Sequence, residues 1–369
     1  MAIPALTALI CFLGQVIGAQ SKTVDSMVKR RMTETQTPGM AVAVVVNGKV
    51  VHAKGYGMAN LETRSRVTTK TVFNLASVTK TFTALAALKL VEQGKLSLDD
   101  PLSRHLEDIP RDWRTITIRQ LLSNTSGIKS FTSLTEAEGR CNAAQDIRSY
   151  RRGDAVREVE CFPLEFPAGE KWKYGDTGFY LVGMVIEKIS RQGYGSYLKE
   201  HLFSPLGMSA TDLLDYSEIL PQRADGYSFR NGKIVNAARF DIDEFATGGL
   251  TSTLEDMIRF ERAFLTEKAL KKASIETMLA NARLNSGEAV SYGLGIGLTP
   301  FKGQKRFGHT GGGGLGFATA FTHFPDHKVT VIVLANADQE EIGNFANSVA
   351  ELFFSKISYR GKQQKGRKI

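Results

Sequence analysis

Ser77 and Lys80 stand three residues apart. On a helix that spacing puts both side chains on one face, so the amine can reach the hydroxyl. A lysine whose pKa is lowered can take the hydroxyl proton and leave a nucleophilic alkoxide, the start of covalent acyl transfer. The string alone is weak, because S-x-x-K occurs four times: Ser26–Lys29, Ser77–Lys80, Ser126–Lys129 and Ser196–Lys199. Context separates the copies. Ser26 and Lys29 fit an ordinary surface helix, Ser126 precedes Gly127 in a turn, and Ser196 follows a Gly-rich loop. Only Ser77 opens a long apolar helical pattern, Thr79–Gln93, which Gly94 ends. There its hydroxyl faces the positive helix end, and its N–H is free to bind an oxyanion. The bland alternative is a serine that merely caps the helix.

Other chemistries find less support. No G-x-S-x-G is present, which removes the usual nucleophile elbow. Gly311-x-Gly313-x-x-Gly316 matches a dinucleotide-binding string, but a β-rich run follows where that fold needs a helix. Neither CxxC nor HExxH occurs and the six histidines are scattered, so neither metal nor cofactor is indicated.

The elements that must position Ser77 can be read from periodicity. Val24, Met27, Val28 and Met32 follow helical spacing over residues 23–34. Met40–Val46 and Lys49–Gly55 are β-rich around Asn47-Gly48, a tight hairpin signal. Phe179–Ser190 and Leu254–Leu265 read as helices. Phe317–Phe324 and Lys328–Leu334 flank a Pro325-Asp326 turn, and Ile342, Phe345, Ala346, Val349, Leu352 and Phe353 form a final amphipathic helix. Residues 101–239 show no clear strand ladder. The expected fold is therefore α+β: one antiparallel sheet from the N- and C-terminal segments, flanked by helices, with a second, mostly helical lobe. The expected parts are a discontinuous lobe from 20–80 and 240–356, a helical lobe 81–239, and within it a polar insertion or lid, 129–164. A cleft between lobes is where a substrate site is expected.

Two further strings join Ser77 and Lys80. Tyr174-Gly175-Asp176 precedes the helix at 179, and His309-Thr310-Gly311 falls where a late strand belongs. In this order and at these separations, the three resemble the signature of serine β-lactamases and penicillin-binding proteins. The likeness is nearest to the class C β-lactamase branch with its D,D-peptidase, D-aminopeptidase and esterase relatives. Leu121-Leu122-Ser123-Asn124-Thr125-Ser126-Gly127, Gly248-Gly249-Leu250-Thr251-Ser252, Phe166-Pro167-Ala168-Gly169-Glu170 and Leu202-Phe203-Ser204-Pro205-Leu206-Gly207-Met208 also resemble segments of that branch. The likeness runs from about Thr37 to Asp338.

The resemblance implies that Ser77 is acylated, that Lys80 activates it, and that Tyr174 moves the proton to the leaving group and later activates water. It implies an oxyanion hole from the N–H groups of Ser77 and Gly312, with Gly312 allowing close backbone approach. It assigns Asp176, His309, Thr310 and Gly311 to substrate binding. Two positions depart from the family pattern. Many members carry Lys where His309 stands, and histidine is mostly neutral at pH 7; an imidazolium at 309 would favour anionic substrates below about pH 6.5. β-Lactamases usually carry Asn where Asp176 stands, and an ionised Asp accepts hydrogen bonds but donates none. Asp176 would also raise the pKa of nearby Lys80, shifting the burden of base toward Tyr174. Its bland alternative is a cap on the following helix. Both departures favour an esterase or a D-amino-acid-directed peptidase; a true β-lactamase and a weakly catalytic scaffold are the alternatives. The expected partner is a small-molecule or peptide substrate.

Composition and targeting agree. The chain of 369 residues is 42% apolar and 23% charged, which excludes disordered, collagenous and coiled-coil classes. Of the +9 net charge, six cations lie from Lys356 onward, the basic tail 357–369 included, and no acid accompanies them. The body has no basic helix or basic–aromatic stripe, so nucleic-acid binding is not expected. Residues 1–19 are uncharged and largely apolar, and read as a signal peptide cut after Ala19, with an uncleaved anchor as the alternative. After cleavage no membrane span is expected, and the location is extracytoplasmic, periplasmic or secreted. Cys11 would leave with the leader. Cys141 and Cys161 remain, expected to pair in an oxidising compartment, with two free thiols as the alternative.

Overall fold

The computed structural model describes residues 4–141, 153–215, 217–237, 245–312, 314, 316–338 and 341–354, with side chains from Gln20 onward. The basic tail lies outside the described residues. Eleven described strands are numbered here: β1 (Gly39–Val46), β2 (Lys49–Asn60), β3 (Ser65–Arg66), β4 (Val72–Asn74), β5 (Asp212–Leu213), β6 (Tyr227–Arg230), β7 (Lys233–Asn236), β8 (Leu250–Thr253), β9 (Phe307–Gly311), β10 (Ala318–Phe324) and β11 (Val329–Ala335).

The main sheet runs β3-β2-β1-β11-β10-β9. Its strands pair antiparallel, and its middle joins the two ends of the chain, with Met40 opposite Ala335 and Val46 opposite Val329. β1 and β11 are buried along nearly their whole length, which accounts for their continuous β-branched runs: a strand covered on both faces has no polar side. Alternation sorts the two faces. Met40, Val42, Val44, Val331 and Val333 pack under Val24 and Val28 of the Pro4–Thr35 helix and under Phe345 and Val349 of the Ile342–Glu351 helix. Ala41, Ala43, Phe321, Ile332 and Leu334 face the larger core. The Asn47-Gly48 turn closes the first hairpin with both residues at positive φ, 50° and 73°.

That larger core continues from the sheet into the helical side without a break. Phe321 stacks at 5.4 Å on Phe260 of the Leu254–Leu265 helix, and Phe260 lies 4.5 Å from Phe82. Phe82 belongs to the Thr79–Glu92 helix, which is buried on almost every side. A helix apolar all round is a central helix, not an amphipathic surface one. Its first turn, which carries Lys80, is therefore held rigidly inside the protein.

Two expectations need correction. Residues 101–239 do contain strands: β6 and β7 form a hairpin and β5 edges a small sheet, β4-β8-β5. The hairpin turn is Asn231-Gly232, at φ 50° and 77°, the same dipeptide signal as at 47–48. The short, exposed flanking strands hid it from a periodicity reading. The supposed lid 129–164 is also partly core, since Phe131, Ala155, Val156 and Val159 are buried in the main cluster. Several of its described charges are paired, as in Lys129–Glu138 at 2.5 Å and Arg157–Asp154 at 3.3 Å.

Cys141 and Cys161 are joined as a disulfide, with Cα atoms 5.6 Å apart, closing a separation of 20 residues. A loop of this size stabilises by about 3 kcal/mol on the chain-entropy model. Replacing both cysteines by serine is expected to remove about that much, read as a lower urea midpoint. Dithiothreitol treatment of the unmodified protein should reproduce the shift; an unmoved midpoint would discount the bridge.

Candidate active site

Ser77 sits in a single 3-10 turn, Ala76–Val78, at the entrance to the Thr79–Glu92 helix. The turn follows β4, which is paired to β8. Leu75 still bonds to the Leu250 carbonyl at 2.8 Å, and then Ala76 adopts φ +45°. A non-glycine residue there costs on the order of 1–3 kcal/mol, and surrounding contacts must hold it. The Asn74 side chain does so by accepting the Ala76 N–H at 2.5 Å. This sharp turn lifts Ser77 out of the chain path. Its side chain makes no capping bond to the helix, so the capping alternative fails.

Lys80 reaches back to it. The Lys80 Nζ donates to Ser77 Oγ at 3.0 Å and to the Thr247 carbonyl at 2.9 Å, and pairs with Asp176 Oδ1 at 2.5 Å. These three acceptors match the three N–H donors of an ammonium. The side chain is fully buried. Burial alone would lower its pKa, but the Asp176 carboxylate, and after it the Tyr174 phenol, outweigh that and raise it. The lysine is a fixed cation at neutral pH. Asp176 is correspondingly held below the usual carboxylate range: burial opposes this, and Lys80, Thr132 and Ser130 overcome it.

Asp176 makes no side-chain bond to the Thr177–Ser190 helix that follows it, so its capping alternative also fails. Its Oδ1 takes Lys80, and its Oδ2 accepts from Thr132 Oγ1 and from Ser130 Oγ, the latter at 3.4 Å. Expected to meet substrate, it is instead occupied at both oxygens in holding the lysine.

Tyr174 is 39% exposed, an unusual state for a large ring. Its ring centroid is 5.1 Å from Lys80 Nζ and 6.0 Å from the His309 ring. Asn124, at φ +60°, positions it by accepting the Gly175 N–H at 3.2 Å through its side chain and the Lys173 N–H at 3.0 Å through its carbonyl. Ser77 and Tyr174, far apart in sequence, thus meet around the Lys80 ammonium.

The strand bearing 309–312 closes the site. A Cβ on Gly311 would lie 2.4 Å from the Leu75 carbonyl and 2.5 Å from Thr319 Oγ1, while Thr319 Oγ1 donates to that same carbonyl at 2.7 Å. The end of β9 therefore presses directly on the turn that carries Ser77. The close approach expected at Gly312 occurs at Gly311: a Cβ at 312 would meet only the Phe317 carbonyl, at 3.7 Å. Gly312 still lies immediately beyond β9, where its N–H can face the same turn.

His309 behaves differently from the expectation of a substrate contact. It is only 8% exposed, whereas Thr310 is exposed. Its Nδ1 lies 2.6 Å from the Thr310 carbonyl, which can only accept, so that nitrogen carries the proton. Its Nε2 then accepts from the Tyr292 hydroxyl at 3.0 Å. Burial, aided by the Lys80 charge, pushes its pKa down to about 4. It is neutral throughout the physiological range and supplies no cation. Thr310, not His309, is the exposed side chain of this pair.

Several participants escaped the sequence reading: Asn74, Thr247, Tyr292 and the pair Ser130 and Thr132. Asn124 lay inside a quoted string without a role. The string Tyr292-Gly293-Leu294-Gly295 offered a signal. Gly295, at φ +66°, leaves only 2.5 Å between a Cβ and the Lys80 carbonyl, so this loop can lie against the lysine turn only with glycine there.

Three comparisons bear on the chain. The family model described as Beta-lactamase matches residues 24–352. Penicillin-binding protein 4* of Bacillus subtilis is 28% identical over 316 residues, covering 81% of this chain and 68% of that protein. Across the curated relatives it matches first, the chain spans 63 to 68% of their length. Among solved structures, the octameric penicillin-binding protein homologue of Pyrococcus abyssi is 31% identical with a TM-score of 0.76, over 90% of this chain and 77% of that one. A D-stereospecific amidohydrolase from Streptomyces is 25% identical with a TM-score of 0.73, over 90% and 98%.

Two outcomes are expected. Gly311→Ala should lower acylation by about 100-fold or more, because it displaces β9 from the Ser77 turn, while Gly312→Ala should cost far less; stopped acylation assays on both variants decide this. Stability should depend on the buried histidines. His309 and His323 both sit near pKa 4, each lowered chiefly by burial. Below about pH 6.5 the unfolded chain takes up protons that the folded chain refuses, so their contribution, complete above that pH, is lost as pH falls toward 4. Each should give a slope of about 1.4 kcal/mol per pH unit in that window, measured by denaturation from pH 8 to 4.

Proposed function

The chain belongs to the Beta-lactamase family, and from that premise we propose that it is a serine hydrolase working through an acyl-enzyme on Ser77. The observation that carries this reading is the Lys80 ammonium, which touches Ser77 Oγ at 3.0 Å while anchored to Asp176 at 2.5 Å. A lysine held charged cannot take the serine proton. Tyr174, beside the same ammonium, is the base. Lys80 stabilises the phenolate that accepts the proton and keeps Ser77 Oγ aimed.

In the forward step Ser77 Oγ attacks the substrate carbonyl carbon and its proton passes to the Tyr174 oxygen. The carbonyl π pair moves to oxygen, and the N–H groups of Ser77 and Gly312 receive that oxyanion. Collapse expels the leaving group, which takes the proton back from Tyr174. Water then repeats the sequence in reverse and frees the acid. The Asp176 carboxylate is spent on Lys80, Thr132 and Ser130, and neutral His309 is spent on Tyr292. Neither is available as the amide donor or the cation that the likeness to β-lactamases calls for. Esters and D-amino-acid amides or peptides are therefore the favoured substrates, and the amidohydrolase likeness supports the latter. We place the enzyme outside the cytoplasm, which the apolar leader and the Cys141–Cys161 bridge support.

Intact-mass spectrometry tests the mechanism. Fluorophosphonate and an activated ester should each add one acyl or phosphonyl mass to the protein, and Ser77→Ala should carry none. Modification that persists in the variant would assign the nucleophile elsewhere. Nitrocefin turnover outpacing p-nitrophenyl ester and D-amino-acid amide turnover would instead make the protein a β-lactamase.

A further inference from the structure

Beside Tyr174 and His309 opens a cleft of about 210 Å³. Trp172, Tyr174 and Tyr292 give it aromatic walls, and Thr310 also lines it. Trp172 and Tyr174 are both left about two-fifths exposed there, at 40% and 39%. Among the described residues no Asp or Glu lines the cleft, and with His309 neutral the one cation lining it is Arg306.

Arg306 is partly buried at the end of the cleft away from Thr310. Its Nε donates to the Thr299 carbonyl at 3.0 Å and its Nη1 to Asn347 Oδ1 at 3.4 Å. Asn347 is itself fixed by Thr322 Oγ1 at 3.3 Å. Two of five donors are thus used, both on neutral oxygens, and the guanidinium is clamped in place. Among the described residues no carboxylate answers its charge. Burial alone moves its pKa, downward, and no acid offsets this. A guanidinium stays charged regardless, and a half-desolvated one without a counterion is costly unless an anion completes it.

We propose that Arg306 forms a carboxylate subsite of the hydrolase, selecting extended substrates that carry a carboxylate at the end remote from the scissile bond. This rests on the serine-hydrolase reading above. Arg306 precedes Thr310 by four strand residues, about 13 Å of extended chain. The substrate must span that distance, with an apolar or aromatic middle against Trp172 and Tyr292. The planar fork of arginine suits a carboxylate, which it can bind through two parallel N–H bonds.

Matched esters test the subsite. One pair carries the charge on the acyl chain, mono-p-nitrophenyl suberate against p-nitrophenyl octanoate. The other carries it on the leaving group, 4-carboxyphenyl against phenyl hexanoate. The unmodified enzyme should prefer the anionic member of one pair. Arg306→Gln should collapse that preference by about 10- to 100-fold in kcat/KM, and Arg306→Lys should restore part of it. A preference unchanged in Arg306→Gln would overturn the proposal. Suberate binding gives a second reading that needs no turnover. Suberate should raise the melting temperature of the unmodified protein and of Ser77→Ala, but not of Arg306→Gln. Ester turnover without Arg306-dependent suberate binding rejects the subsite and leaves the hydrolase standing. Arg306-dependent binding without turnover of any ester rejects the hydrolase and leaves an anion site.

Discussion

A lysine ammonium with no access to water is the constraint around which this molecule is arranged. Lys80 is fully buried and charged, and its three N–H groups end on Ser77, Thr247 and Asp176. Removing any one acceptor leaves a donor unmet in a low-dielectric interior, and removing the carboxylate leaves a bare charge, a loss of about 3–5 kcal/mol. Each acceptor comes from a different part of the chain: the turn after β4, the Phe245–Gly248 helical turn, and the start of the Thr177–Ser190 helix. Satisfying one cation thus brings three remote segments together, and the reactive hydroxyl is among them.

Electrostatics then divides the labour. The Lys80 cation disfavours a second charge on His309, whose pKa it helps burial to lower. Two groups that look like site acids and bases in the sequence, Asp176 and His309, become fixed neighbours: one neutralises Lys80 and the other accepts from Tyr292. Tyr174, in contrast, remains open to the cleft.

Much of the framework was legible in the residues. Continuous β-branched runs revealed β1 and β11, because a strand buried on both faces cannot alternate. Asn47-Gly48 revealed the first hairpin because both residues tolerate positive φ. Ser77, Lys80, Tyr174 and the His309–Gly311 strand were legible as strings with a shared chemical logic. What stayed hidden is what side-chain direction decides. No one-dimensional pattern tells that Asp176 turns from its helix toward Lys80, or that His309 turns inward to a tyrosine 17 residues earlier. The Thr247 contribution is a backbone carbonyl, which every residue possesses, so composition cannot mark it. Ser130 and Thr132 lay in a stretch whose exterior charges resembled a detached insertion, while its buried residues were few and widely spaced.

The pairing of β1 with β11 has a consequence for how the molecule comes into being. Met40 waits for Ala335, since β11 is the strand that stands between β1 and β10 in the sheet. Loop closure over so long a span must precede any reward from the contacts it makes, which slows folding. Synthesis must run at least through Ala335 before the two central strands can pair in full. A chain cut short before Val329 would own the serine, the lysine, the tyrosine and even β9, yet lack the strand that ties β10 and β9 to β1. β11 is the last described strand in chain order, so the earlier strands wait for it before the sheet is whole.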